Sequence, residues 1–204
     1  MNEEIYNRLS SLNYELLFNN FRQYNYILID KDTMYINNIK TQYNENIKEN
    51  SVYCIDKKLY AVWNMNLNDK NWTFDDIIAG IIHEMFHCFQ IENNFFVEYS
   101  DIVFRDDILD SLILNVTNPN WTNDLSTIYK NIDENYIQDI KSIEKIEGTA
   151  LWVELNYKRI YCNLNFNTAM KDYLRYIISS KKKHLIHYYI GCYIYQITNN
   201  IGNY

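Results

Sequence analysis

Ile81-Ile82-His83-Glu84-Met85-Phe86-His87 is the stretch on which the reading of this chain turns. On an α-helix, residues four apart lie on one face, so His83 and His87 can reach the same metal ion. Glu84 follows the first histidine. A carboxylate there can take a proton from a water activated by the metal without itself being a ligand. The plain alternative is a pair of helix histidines satisfied by nearby carboxylates. The flanking residues favour the metal.

Those flanks specify a long, deeply buried helix. Thr73 is a good N-cap, and Asp76 three residues on completes a capping-box pattern, so a helix is predicted from Phe74 to about Asn93. Ile77, Ile78, Ile81, Ile82, Met85, Phe86 and Phe89 form an apolar surface wide enough to pack against both a sheet and other helices. Asp76, Gly80, His83, His87 and Gln90 share another face. A glycine inside a helix costs about 1 kcal/mol, so Gly80, one turn before His83, predicts close approach of a strand or substrate.

Upstream, apolar residues at Ile5, Leu9, Leu12, Leu16, Leu17 and Phe21 predict a helix over 3–24. Residues 26–37 read as a hairpin turning at Lys31-Asp32. Residues 51–65 read as a second, turning at Asp56-Lys57-Lys58. Downstream the pattern is helical: a stretch over 102–115, a break at Asn118-Pro119-Asn120, and one long helix or a helix pair over 124–162. Thr168 is placed to cap a helix to about Ser180, and a last helix runs from near Lys183 to about Asn199. The expected fold class is α+β, in one domain over 1–204. A helix and a small N-terminal antiparallel sheet occupy 1–70, and a mainly helical part, 71–204, carries the metal site. A sheet edge at 59–65 is expected to hold an extended peptide by backbone pairing.

Two histidines do not suffice; a third protein ligand is needed, with a position left open for water. A glycine and a histidine at the positions of Gln90 and Asn93 would supply a metzincin-type site, and they are absent. A deformylase-like site needs a cysteine, and the neighbours of Cys54 do not support one. A glutamate on a later helix remains. Ile146-Glu147-Gly148-Thr149-Ala150 offers Glu147, with small residues after it that permit close helix approach. Glu144 and Glu154 lie on nearly the same face and stay open as ligands. Glu154 has a second role open to it, orienting a histidine from behind.

These segments carry a resemblance. H-E-x-x-H followed by Glu147-Gly148-Thr149-Ala150-Leu151-Trp152-Val153-Glu154 resembles the gluzincin metallopeptidases, the thermolysin and aminopeptidase-like group. Tyr188-Tyr189-Ile190-Gly191 resembles the Y-x-x-G segment that follows the third ligand in the aminopeptidase-like members. The resemblance covers residues 77–90, 144–154 and 188–195. It implies a zincin-like fold, one Zn²⁺ per chain held by His83, His87 and Glu147, and peptide-bond hydrolysis with Glu84 as general base. It also implies that Tyr188 stabilises the oxyanion. The aminopeptidase substrate-amine motif is absent, so N-terminal trimming does not follow. Three of the four glycines, Gly80, Gly148 and Gly191, fall beside these segments. His184 and His187 read as surface or core residues, with His184 also open to a hydrogen bond on the transition state.

Composition sets the outer bounds. The net charge is −7, against a nucleic-acid partner, and no apolar run approaches 18 residues, against a membrane span. The acidic N-terminus does not read as a signal peptide, and four scattered cysteines without a CxxC pair suit the expected reducing cytoplasm. Heavy use of Tyr, Asn, Ile and Lys reads as an AT-rich bacterial genome. The expected partner is a peptide or protein substrate. The alternatives are a catalytically inactive, metal-binding relative and a partner-binding module; neither requires Glu84. The oligomeric state is open.

Overall fold

A computed structural model describes residues 1–67, 72–95, 103–118 and 125–201. Among these residues the fold is α+β, a five-stranded mixed sheet with six helices. The strands are β1 (Asn25–Asp30), β2 (Thr33–Ile36), β3 (Ile39–Thr41), β4 (Ser51–Ile55) and β5 (Lys58–Asn64). The helices are α1 (Asn2–Ser10), α2 (Phe74–Glu92), α3 (Asp106–Thr117), α4 (Glu134–Tyr161), α5 (Phe166–Ser179) and α6 (Ile186–Ile201).

Both predicted hairpins form. β1 and β2 pair antiparallel with Ile29 opposite Met34, and β4 and β5 pair antiparallel with Ile55 opposite Lys58. Asp56 and Lys57 both adopt positive φ, 48° and 62°, the two-residue turn whose twist suits a tight hairpin. Lys58, expected in the turn, is the first residue of β5.

The joining of the hairpins corrects the expected antiparallel sheet. The strand order is β3-β2-β1-β5-β4, with β1 and β5 parallel from Asn25↔Tyr60 to Ile29↔Asn64. The cause lies in β1, where Tyr26, Ile27, Leu28 and Ile29 are all fully buried. A strand with an unbroken apolar run belongs at the centre of a sheet covered on both faces. That pairing also removes the expected peptide-binding edge at 59–65, because β5 is flanked on both sides. On that side of the sheet the outer strand is β4.

The helix predicted over 3–24 stops at Ser10 and gives way to a 3-10 turn at Tyr14–Leu16. The Asn13 side chain accepts a hydrogen bond from the Glu15 amide at 3.2 Å, a local bond that competes with helix continuation. Leu17 and Phe21 are buried as their spacing suggested, but from irregular chain.

The chain divides into two compact units, Met1–Phe96 with Val153–Leu164, and Val97–Trp152 with Asn165–Tyr204. In the first, α2 packs on β5 and β4. Phe18, Phe21, Phe86 and Phe89 meet in a cluster of mostly edge-to-face rings, with Phe86 and Phe89 stacked. The C-terminal turns of α4 are tied in by Asn156 Nδ2, which donates to the Leu17 carbonyl at 3.0 Å. Tyr157 donates from its hydroxyl to Asp75 Oδ1 at 3.0 Å and accepts from Arg8 Nε at 3.2 Å.

In the second unit, α6 packs against α3 and α5. The stretch 124–162 yields one long helix, α4, with a 3-10 turn at Leu125–Thr127 before it. Asn165 caps α5, its side chain accepting from the Thr168 amide at 3.1 Å; the expected cap, Thr168, lies inside the helix. Lys183–Leu185 is a 3-10 turn leading into α6. Residue 102 of the expected third helix, Pro119-Asn120, and residue 124 of the stretch that follows lie outside the described residues. Among the described residues, no helix is long and apolar enough to cross a membrane.

Candidate metal centre

The capping box that starts α2 forms as its residues dictate. Thr73 Oγ1 accepts from the Asp76 amide at 3.2 Å, and Asp76 Oδ2 accepts from the Thr73 amide at 2.9 Å. From Ile77 to Gln90 every residue of α2 is buried. A helix buried all round is ordinarily apolar all round, yet His83, Glu84, His87 and Gln90 are polar. Burying such groups costs free energy unless each finds a partner.

The histidines find theirs through one ring nitrogen. His83 Nδ1 lies 3.3 Å from Glu154 Oε2, and His87 Nδ1 lies 2.7 Å from Gln90 Oε1. An acceptor facing Nδ1 favours the tautomer with its proton there, which would free the Nε2 lone pair of each ring for a metal. The ring centroids are 4.9 Å apart.

Glu147 completes the group. His83, His87 and Glu147 are all buried, and each offers a ligand atom, all of these lying within 4.8 Å of one another. Two imidazole nitrogens and a carboxylate can hold a metal ion. The two other acidic candidates on α4 are engaged elsewhere. Glu154 faces His83 Nδ1, in the orienting role open to it from the sequence. Glu144 accepts from the Tyr129 hydroxyl at Oε2 and lies 3.2 Å from His187 Nδ1 at Oε1. Cys54 is exposed on β4.

Electrostatics keep Glu154 an anion. Burial pushes its pKa up, but the His83 hydrogen bond and the Lys158 charge outweigh burial and hold the carboxyl below the usual range. Lys158 Nζ sits 3.6 Å from Glu154 Oε1 and 2.8 Å from Asp76 Oδ1. Burial lowers the lysine, yet these two carboxylates raise it above its ordinary value. Asp76, Lys158, Glu154 and His83 therefore form one chain of alternating charge ending on an imidazole.

The remaining candidates are placed as follows. Glu84 is buried on α2 beside His83. Tyr188 is half-buried in the first turn of α6. His187 is fully buried. His184 is half-buried, with its pKa lowered by burial and by the Lys182 and His187 charges, while Glu147 pulls the other way. Gly80 meets Trp63 of β5: a Cβ there would stand 2.2 Å from the indole, so the expected close approach is a strand's.

Gln90 and Lys158 were not read as partners from the sequence. Their spacings, three residues after His87 and four after Glu154, are the helical signals that could have found them. Comparison with protein-family models, with curated proteins and with solved structures returns no match.

Proposed function

We propose that this chain is a zinc-dependent metallopeptidase with a zincin-like fold. The observation that carries the reading is the buried group of His83, His87 and Glu147, with each imidazole backed by an acceptor at Nδ1. Neutral imidazoles oriented in this way suit zinc, and three protein ligands leave one position open, the arrangement of hydrolytic zinc sites. Two imidazoles and a carboxylate whose ligand atoms all lie within 4.8 Å of one another are a donor set that would fit such an ion.

Zinc, when bound, supplies a Lewis acid that polarises a carbonyl and lowers the pKa of water towards 7. The chain's residues supply the rest. His83, His87 and Glu147 would hold the ion. Glu84 takes the proton of the attacking water and passes it to the leaving amine. Tyr188 donates a hydrogen bond to the oxyanion. The low accessibility around Glu84 strengthens each of these electrostatic interactions. An extended peptide would pair with β4, the outer strand that packs against α2, since an edge strand presents unpaired backbone groups.

The test is the zinc content of the purified protein, beside Glu147→Ala and with cleavage of a mixed peptide library by the wild type and Glu84→Gln. About one zinc per chain, lost in Glu147→Ala, together with cleavage abolished in Glu84→Gln, supports the reading. No zinc in the wild type, even when zinc is supplied, would sink it. Zinc without any cleavage would leave a metal-binding relative.

A further inference from the structure

The geometry points to a positioning role for His187 and Tyr129, which act through Glu144 to set where Glu147 stands. The inference rests on the metal-centre reading above. It starts from a cost. His187 and Glu144 are 0% and 4% exposed, and a buried polar pair is usually no more stabilising than a packed apolar pair of the same volume. Ile190, three residues on and on the same face of α6, is fully buried, so an apolar side chain at 187 would suit this face. The best-attested use of a buried polar pair is to fix register.

Register needs fixing here because the backbone contact is smooth. A Cβ on Gly191 would stand 1.8 Å from the Glu144 carbonyl oxygen, and one on Gly148 would stand 2.3 Å from the Gly191 carbonyl carbon. α4 and α6 therefore meet backbone to backbone, without side chains interlocking at that point. Such a contact by itself sets distance but resists rotation of this part of α4 only weakly, and the next bond to α6, from Trp152 Nε1 to Gln196 Oε1 at 2.6 Å, comes one turn beyond Gly148. A rotation of 20° would carry a carboxylate at the surface of the helix, about 5–6 Å from its axis, through about 2 Å. Metal–ligand distances tolerate only about 0.2 Å.

Directional bonds remove that freedom. Glu144 Oε1 lies 3.2 Å from His187 Nδ1, and Oε2 accepts from the Tyr129 hydroxyl. His187 is itself held, stacked on Phe104 at 5.7 Å and tilted against Tyr136 at 6.3 Å. Residue 144 is thus gripped by its side chain and by its backbone, one turn before Glu147 on the same helix.

The test compares His187→Leu, which keeps volume without a donor, with His187→Asn, which keeps a donor near the Nδ1 position and loses volume. Zinc affinity is measured by competition with a chromophoric chelator. The visible spectrum of the Co²⁺-loaded protein reports ligand geometry, and thermal unfolding in chelator reports the apo fold. His187→Leu is expected to bind zinc about tenfold more weakly, the lower end of what partners behind a metal ligand contribute, with an altered cobalt spectrum. His187→Asn is expected to stay near wild type in both, although its cavity makes it the less stable. The opposite order, or wild-type zinc affinity and cobalt spectrum in His187→Leu, would overturn the inference. Should His187→Leu not fold, the triple variant Tyr129→Phe/Glu144→Leu/His187→Leu leaves no orphaned polar group and answers the same question. Zinc bound by the wild type, lost in Glu147→Ala and unaffected in the apolar variant refutes this inference alone; no zinc in the wild type refutes the metal centre.

Discussion

His83 Nδ1 stands 3.3 Å from Glu154 Oε2, so the first histidine of the pair on α2 is aimed by a carboxylate on α4. That carboxylate is in turn fixed by Lys158, which Asp76 of the α2 capping box also holds. The orientation of the ring thus goes back to the residues that start its own helix. Removing the acceptor frees the ring and its tautomer. Glu154→Ala is expected to weaken zinc binding by about 10- to 100-fold. Glu154→Gln, which keeps an acceptor oxygen but not the charge, should fall between the two. A competition titration measures both, and wild-type affinity in Glu154→Ala would show that the contact orients nothing.

Glu84→Gln separates holding the metal from using it. The amide is nearly isosteric with the carboxylate, and Glu84 is not among the three grouped ligands, so zinc content should be unchanged. Turnover should fall by at least about 10²- to 10⁴-fold, the usual contribution of a positioned general base. Measuring zinc content and peptide cleavage on the same preparation decides the matter. Full activity in the variant would remove Glu84 from the mechanism.

How much of this was legible in the chain depends on how local each signal was. The hairpin turns and the Thr73 cap were readable because turn and cap chemistry resides in two to four consecutive residues. The parallel pairing of β1 with β5 was not, because it joins Asn25 to Tyr60 across chain that carries no pairing signal of its own. The end of α1 was missed because apolar spacing continues past Ser10, while Asn13 bonds its own backbone neighbours. The small residues after Glu147 put it first as third ligand, and spacing left Glu144 and Glu154 open. What distinguishes the three is which partner each has, and Tyr129, His187 and His83 come from other elements. Side-chain spacing alone does not tell which of three carboxylates on one helix face is engaged elsewhere.

The Asp76–Lys158 pair predicts a definite pH dependence. Burial raises Asp76, but the hydrogen bonds from Lys158 and Thr73 outweigh it, and its folded pKa lies below the ordinary carboxylate value. A depressed carboxyl contributes stability that is present above the unfolded value, about 3.9, and lost as pH falls through the folded one. Lys158 is raised, so its contribution persists until pH climbs beyond the usual lysine range. Lys158→Met keeps the apolar stem and removes the charge. In chelator at pH 7 it is expected to cost about 1–3 kcal/mol, since it leaves charged partners unpaired. The gap in melting temperature from the wild type should narrow as pH falls below about 3.9 and close as it passes through the depressed folded values. An unchanged gap across that range would place the effect in packing.

Gly191→Ala tests the close approach of α4 and α6 through the sign of its effect. On helix propensity alone, alanine for glycine inside a helix should stabilise by about 1 kcal/mol. At Gly191 the new Cβ would stand 1.8 Å from the Glu144 carbonyl oxygen, and a backbone atom cannot swing aside. Overpacking of this kind costs about 1–3 kcal/mol, more where backbone must move, so net destabilisation is expected. Gly80→Ala meets a side chain, the Trp63 ring, at 2.2 Å, and should cost less because that ring can shift against Trp72. Urea unfolding of the two variants gives both sign and order. Stabilisation by Gly191→Ala would mean that the two helices do not touch there, and the seating of Glu147 would need another support.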